Sequence, residues 1–183
     1  MRSRRVFLRL HSIQEELEWL ESEGPLSPGL VSRLRHARGE FDFVVLFCAR
    51  YYHAYHGARA VPERAVLVPT AERDPALGLA IFQPMFRGVR AIMYNSLEER
   101  AAIQAVSGNE QVPGVVVGVG SNIPPDVSPA RARQKFGLLK PFLVYVGRID
   151  ANKGCGELFD FFVRYSRDSG RDLELVLIGT AAM

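Results

Sequence analysis

The sequence predicts an α/β fold of the doubly wound kind, in which short parallel strands alternate with helices. Three observations carry the prediction: continuous apolar runs recur along the chain, helical segments with cap signals lie between them, and turn residues punctuate the boundaries. With 48% hydrophobic and 23% charged residues over 183 positions, the chain has the make-up of an ordinary globular protein, which excludes disorder and collagen-like repeats. No run approaches the roughly 20 apolar residues of a membrane span, and Arg9 interrupts the short apolar stretch at the N-terminus. Neither a span nor a signal peptide is therefore expected. Cys48 and Cys155 show no metal-ligand or disulfide spacing; two reduced thiols are expected, which fits the cytoplasm.

The elements follow in order. Ser12-Ile13-Gln14-Glu15 is a capping box, in which the serine side chain accepts a backbone N–H and the glutamate answers the serine's own N–H. It predicts an amphipathic helix with Ile13, Leu17 and Leu20 on the buried face, closed by Gly24-Pro25. Ser27-Pro28 starts a second helix, with Leu30, Val31 and Leu34 as its stripe and Gly39 as its stop. The run Phe43-Val44-Val45-Leu46-Phe47-Cys48 is apolar throughout, as expected of a strand covered on both faces in a parallel sheet. Further strands are predicted at 65–68, 91–94, 115–119, 142–146 and 173–178, with helices at 76–86 and from the Ser96 cap to about Ser107.

One stretch breaks this rhythm. Gly120 to Pro129 is poor in helix and strand formers and rich in turn residues, so residues 121–130 are expected to be an interdomain linker. Residues 1–120 then form the C-terminal part of a Rossmann-like domain with two leading helices, and residues 131–183 the first strand-helix-strand unit of another. Ser128-Pro129 caps a helix to Phe136, and a second helix covers 157–169. A single such unit cannot bury both faces of its sheet, and the first domain opens with helices where a strand and a glycine-rich turn are usual. Both domains are therefore expected to be incomplete.

The net charge of +3 suits an acidic partner, whether nucleotide, phospholipid surface or nucleic acid, and is too small to choose among them. Arg2, Arg4, Arg5 and Arg9, and the group Arg33, Arg35 and Arg38, supply much of it; solvated helix faces explain them most simply, with peripheral membrane contact as the lesser alternative. No nucleic-acid partner is expected, because the aromatic residues are embedded in apolar runs and do not alternate with the cations.

The richest chemistry lies in Phe142-Leu143-Val144-Tyr145-Val146-Gly147-Arg148-Ile149-Asp150-Ala151-Asn152-Lys153-Gly154-Cys155-Gly156-Glu157-Leu158. A buried strand ends in a glycine turn carrying an arginine and a lysine, and the turn runs directly into a helix. Such a loop offers a diphosphate two cations, backbone N–H groups and the positive end of a helix dipole. Arg148 and Lys153 are the catalytic candidates, since fixed cations stabilise a departing nucleoside diphosphate without a metal ion. Gly147, Arg148, Lys153 and Gly154 form the binding turn, although residue types alone fit solvated loop cations equally well.

The pattern Val146-Gly147-Arg148-Ile149-Asp150 with Lys153-Gly154, a helix and then Leu175-Val176-Leu177-Ile178-Gly179 resembles the opening of the second domain in group-one (family four) retaining glycosyltransferases of the GT-B fold. The resemblance implies a nucleotide-sugar donor whose diphosphate is held by the arginine and lysine, transfer with retention, and no required metal or cofactor. Val112 to Gly120 looks like the last strand of the first domain in such enzymes, Tyr94-Asn95-Ser96 like the turn before it, and Val66 to Ala71 like a strand end facing the interdomain cleft. On this likeness the chain is a fragment covering part of the first domain and the start of the second. The family's pair of glutamates falls beyond Met183, so the chain alone is expected to be inactive.

On the acceptor side, the resemblance departs from its pattern. Many relatives carry a histidine where this chain has Glu72-Arg73-Asp74-Pro75; Glu72 and Asp74 suit a turn as well as a hydroxyl partner. His53, just after the first strand, and Asn95, at the end of the third, are the other acceptor candidates, and no metal is expected near His53 and His56. Tyr51, Tyr52 and Tyr55 stack on a sugar or cover the helix face. The acceptor itself, a glycan, a lipid or a small molecule, is not specified. Two rivals stand beside this expectation, a non-catalytic remnant and another phosphate-binding α/β protein. Finally, an unfinished sheet exposes the edge strand near 173–178 to pairing with a second copy.

Overall fold

The computed structural model describes residues 5–72 and 75–181; Arg2, Arg4, Arg73, Asp74 and Met183 lie outside them. It is an α/β structure that divides at Ser121/Asn122 into two compact units.

The first unit opens with helices α1 (Ile13–Glu23) and α2 (Pro28–His36). The Ser12 capping box forms: the Glu15 N–H donates to Ser12 Oγ at 3.2 Å and the Ser12 N–H to Glu15 Oε2 at 2.9 Å. Such a cap stabilises a helix start by about 1 kcal/mol. The buried face of α1 differs from the expected one. Glu16, Trp19 and Leu20 are inside, whereas Ile13 is 54% exposed. The rotation follows from the Glu16 carboxylate, which accepts the N–H groups of Ala80 at 3.2 Å and Ile81 at 2.9 Å. On α2, Val31 and Leu34 are buried but Leu30 faces solvent, and the helix ends at His36, short of Gly39.

Strands β1 (Val44–Phe47), β2 (Ala65–Val68), β3 (Ala91–Tyr94) and β4 (Gly114–Val116) form one parallel sheet in that order, a Rossmann-like arrangement. Helices α3 (Tyr52–Ala60), α4 (Phe82–Gly88) and α5 (Leu97–Ser107) connect successive strands. Because the strand order never reverses and crossovers are right-handed, the connecting helices lie on one face. Leu46, Leu67 and Ile92 point to that side and join Tyr55, Phe82, Met85 and Phe86 in the core. The other face stays open. Val45 and Phe47 are exposed, so β1 is covered on one side only, contrary to the expectation for an apolar run.

The expected helix over 76–86 is broken into a 3-10 turn, Pro75–Gly78, and α4. Pro84 explains the break. It has no N–H to give to the Ala80 carbonyl and its ring would clash there, so it is tolerated in the first turn of a helix that begins at Phe82. Strand β4 stops at Val116, ahead of Gly118, whose φ is +72°.

In the second unit, α6 (Pro129–Phe136) is capped by Ser128, whose Oγ accepts the Arg131 N–H at 3.2 Å. Strands β5 (Phe142–Val146) and β6 (Glu174–Ile178) pair in parallel through the crossover helix α7 (Cys155–Ser169). One helix cannot cover both faces of two strands, and Leu143, Val144 and Val146 are all exposed. No helix among the described residues is long and apolar enough to cross a membrane.

Candidate functional site

The turn from β5 into α7 is built by backbone constraints before any side chain enters. Gly147 has φ +152° and Gly179, at the end of the adjacent strand β6, has φ +157°; both lie where only glycine is comfortable. The Gly147 N–H donates to the Ile178 carbonyl at 2.9 Å, and the Ile149 N–H to the Thr180 carbonyl at 3.0 Å. The two glycines pass so closely that a Cβ on Gly179 would lie 1.7 Å from the Gly147 carbonyl oxygen. Parallel strand ends are thereby drawn together under the turn.

Next in the chain, the Arg148 carbonyl accepts the Tyr145 hydroxyl at 2.6 Å and the Cys155 thiol at 3.7 Å. The thiol beside it, with burial, holds the Tyr145 hydroxyl above its ordinary pKa. Asp150 caps a short 3-10 turn, Ala151–Lys153, by accepting the Lys153 N–H on Oδ1 at 2.9 Å. Gly154 at φ +70° then reverses the chain and serves as N-cap of α7. The N–H groups of Gly156 and Glu157 belong to the first turn of α7, where no intrahelical acceptor exists.

Arg148 and Lys153 are both exposed at this turn. Arg148 is not simply solvated, however, because its Nε lies 3.0 Å from Asp150 Oδ2 in an ion pair whose acid side chain is only 11% exposed. Among the predicted residues, the structure thus gathers Gly147, Arg148, Lys153 and Gly154 at the carboxyl end of β5 and the start of a 15-residue helix. Two acids stand with them: Asp150, paired with Arg148, and Glu157, in the first turn of α7.

The acceptor candidates occupy the carboxyl edge of the other sheet. His53 is half-buried in the first turn of α3, after β1; Glu72 is exposed in the loop after β2; Asn95 follows β3 directly. Asn95 is held firmly. Its N–H donates to Glu99 Oε2 at 2.5 Å and its Nδ2 to Oε1 at 3.5 Å. The His53 and Glu72 side chains make no hydrogen bond among the described residues, although the His53 ring lies 6.0 Å from that of Tyr51. Tyr52 and Tyr55 are buried in the helix layer and act as cover. His56 lies between them, and burial pushes its pKa below the ordinary 6.5. Among the described residues, no three His, Cys, Asp or Glu side chains converge as a metal site requires.

No protein-family model and no curated protein matches the chain. The chemistry of the site therefore rests on its geometry.

Several features of that geometry had no signal in the sequence. Glu99 is 6% exposed and also accepts the Ala71 N–H at 2.6 Å, tying the loop after β2 to the turn after β3. Its spacing from Ser96 marked it only as part of a helix cap. Cys48 at φ 63° and Thr70 at φ 48° bend the chain just past β1 and β2; a β-branched residue there is strained, as is common where a loop is shaped for a ligand. A groove lined by Asp42, Phe43, Glu63, Arg64 and Arg90 lies at the amino-terminal edge of this sheet, away from all of these residues.

Proposed function

We propose that the chain supplies donor-side and acceptor-side units of a glycosyltransferase that takes a glycosyl group from a nucleotide sugar with retention of configuration. The observation that carries the proposal is the turn between β5 and α7. Two cations, Arg148 and Lys153, and the start of a 15-residue helix come together at the carboxyl end of a parallel strand. Negative charge grows on the phosphoryl oxygens as a nucleoside diphosphate leaves, and Arg148 with Lys153 would neutralise it in place. Retention rests on the sequence resemblance. The acceptor, a glycan, a lipid or a small molecule, would meet His53, Glu72 or Asn95. A cytoplasmic setting with peripheral contact at an anionic membrane, and pairing of copies through β6, complete the proposal.

Titration calorimetry with UDP, GDP and ADP tests it. Binding of at least one nucleoside diphosphate is expected, weakened roughly 10-fold to 100-fold in Arg148→Ala and in Lys153→Ala, from about 1.5–3 kcal/mol per hydrogen bond to a charged group. Equal affinity for inorganic pyrophosphate and every nucleotide would favour a general phosphate-binding protein. Absence of binding by all of them would reduce the turn to solvated cations.

A further inference from the structure

We infer that Asp150 is a positioning residue of the donor turn, one carboxylate that aims the Arg148 guanidinium and sets the backbone at Lys153; the inference rests on the diphosphate reading of that turn. Asp150 is 8% exposed, although it sits within a loop whose two cations are open to solvent. Its two oxygens divide the work. Oδ1 accepts the Lys153 N–H at 2.9 Å, and Oδ2 lies 3.0 Å from Arg148 Nε. The Asp150 carbonyl adds to the same grip by accepting the Cys155 N–H at 3.3 Å, so the residue also anchors the first residue of α7.

Engagement at Nε has a directional consequence. A guanidinium carries its five N–H donors in a rigid plane, so holding the Nε edge orients the terminal nitrogens and leaves donors there for phosphate oxygens. An exposed arginine without such a partner would lose rotamer freedom each time an anion bound. A carboxylate this close to an anion site also repels the anion. As a mere charge, therefore, Asp150 would weaken diphosphate binding and its removal would strengthen it. As a positioning residue it has the opposite sign, and that difference makes the inference testable.

Asp150→Asn is the informative variant, since the amide oxygen still caps the 3-10 turn while the negative charge facing Arg148 is gone. Pyrophosphate and the tightest binder among UDP, GDP and ADP are titrated into the wild type, Asp150→Asn, Arg148→Ala and the double variant. The expected result is a loss of at least about fivefold in Asp150→Asn that disappears in the Arg148→Ala background, as coupled residues require. Nitrogen relaxation at Arg148 Nε supplies a readout that a purely structural role would leave alone: ordered in the wild type, mobile in Asp150→Asn. Unchanged or tighter binding by Asp150→Asn, while Arg148→Ala still loses affinity, would overturn the inference and leave the diphosphate reading intact. Failure of the wild type to bind any of these ligands would overturn both. Circular dichroism checks the fold, and Asp150→Ser, which keeps a capping oxygen, replaces Asp150→Asn if that variant does not fold.

Discussion

Two buried glutamates do for the first unit what no apolar residue there could do. Glu16 holds the start of α4 through the N–H groups of Ala80 and Ile81, and Glu99 holds two loops through the N–H groups of Ala71 and Asn95. Removing such a carboxylate leaves part-buried or buried donors without partners, at a cost of up to about 1–3 kcal/mol for each group. Glu99→Ala is accordingly expected to lower stability by roughly 2 kcal/mol or more, read from the urea midpoint; an unchanged midpoint would mean that those donors find other acceptors. Two histidines make a second residue-scale case. The Arg9 carbonyl, and then the Glu16 carboxylate, raise the pKa of His11 above 6.5, whereas burial lowers that of His56 below it. His11 thus contributes stability that is present below 6.5 and fades as pH rises through its raised value. His56 contributes stability that is present above 6.5 and fades as pH falls through its lowered value, despite Glu21, which pulls the other way with Arg59 and Arg35 opposing. Relative to the wild type, His11→Gln should lose more stability at pH 5.5 than at pH 8, and His56→Gln should gain relative stability at the acid end. Identical pH slopes in all three proteins would refute both assignments.

At the level of elements, the capped helix starts were legible in the sequence because a cap is a local contract between residues three apart: Ser12, Ser96 and Ser128 each accept the N–H they were expected to accept. The strands were legible as apolar runs, and the turn around Gly147 and Gly154 as glycines beside cations. What stayed hidden depends on partners distant in sequence. The face of α1 turned inward around Glu16 because Ala80 and Ile81 needed an acceptor, and no periodicity count can weigh a carboxylate as core. The role of Asp150 likewise required seeing both of its oxygens occupied. Gly179 shows the same limit from the other side, since its sequence marks a strand end while its constraint comes from Gly147 across the sheet. Gly179→Ala should therefore cost more than the roughly 1–3 kcal/mol of backbone strain, because the obstacle is a carbonyl and not a movable side chain. Hydrogen exchange at the β5 and β6 amides would read this as lost protection, with Gly156→Ala, whose added Cβ meets nothing within 4 Å, as the control that leaves it unchanged.

Across the molecule, both sheets carry apolar surface that their own helices do not reach. On the four-stranded sheet Val45, Phe47 and Val115 are 51%, 56% and 55% exposed, and on the two-stranded sheet Leu177 and Ile178 of β6 are 37% and 47% exposed. Parallel sheets are ordinarily buried on both faces, and exposed apolar side chains on a sheet face favour association. An unpaired strand edge at β6 adds a row of backbone donors and acceptors to the same tendency. Concentration-dependent association is thus expected in light scattering, and two sets of variants tell the surfaces apart. Val45→Lys with Val115→Lys places charges on the open face at positions exposed enough for the ammonium groups to stay in water, so stability should hold within about 0.5–1 kcal/mol. Leu177→Lys does the same beside the β6 edge. If the first set abolishes association and the second does not, the face is the contact; the reverse result assigns it to the edge proposed for pairing copies. A wild-type chain that remains strictly monomeric at high concentration would remove the argument for either surface, since the same exposed valines and leucines would then be stable in water alone.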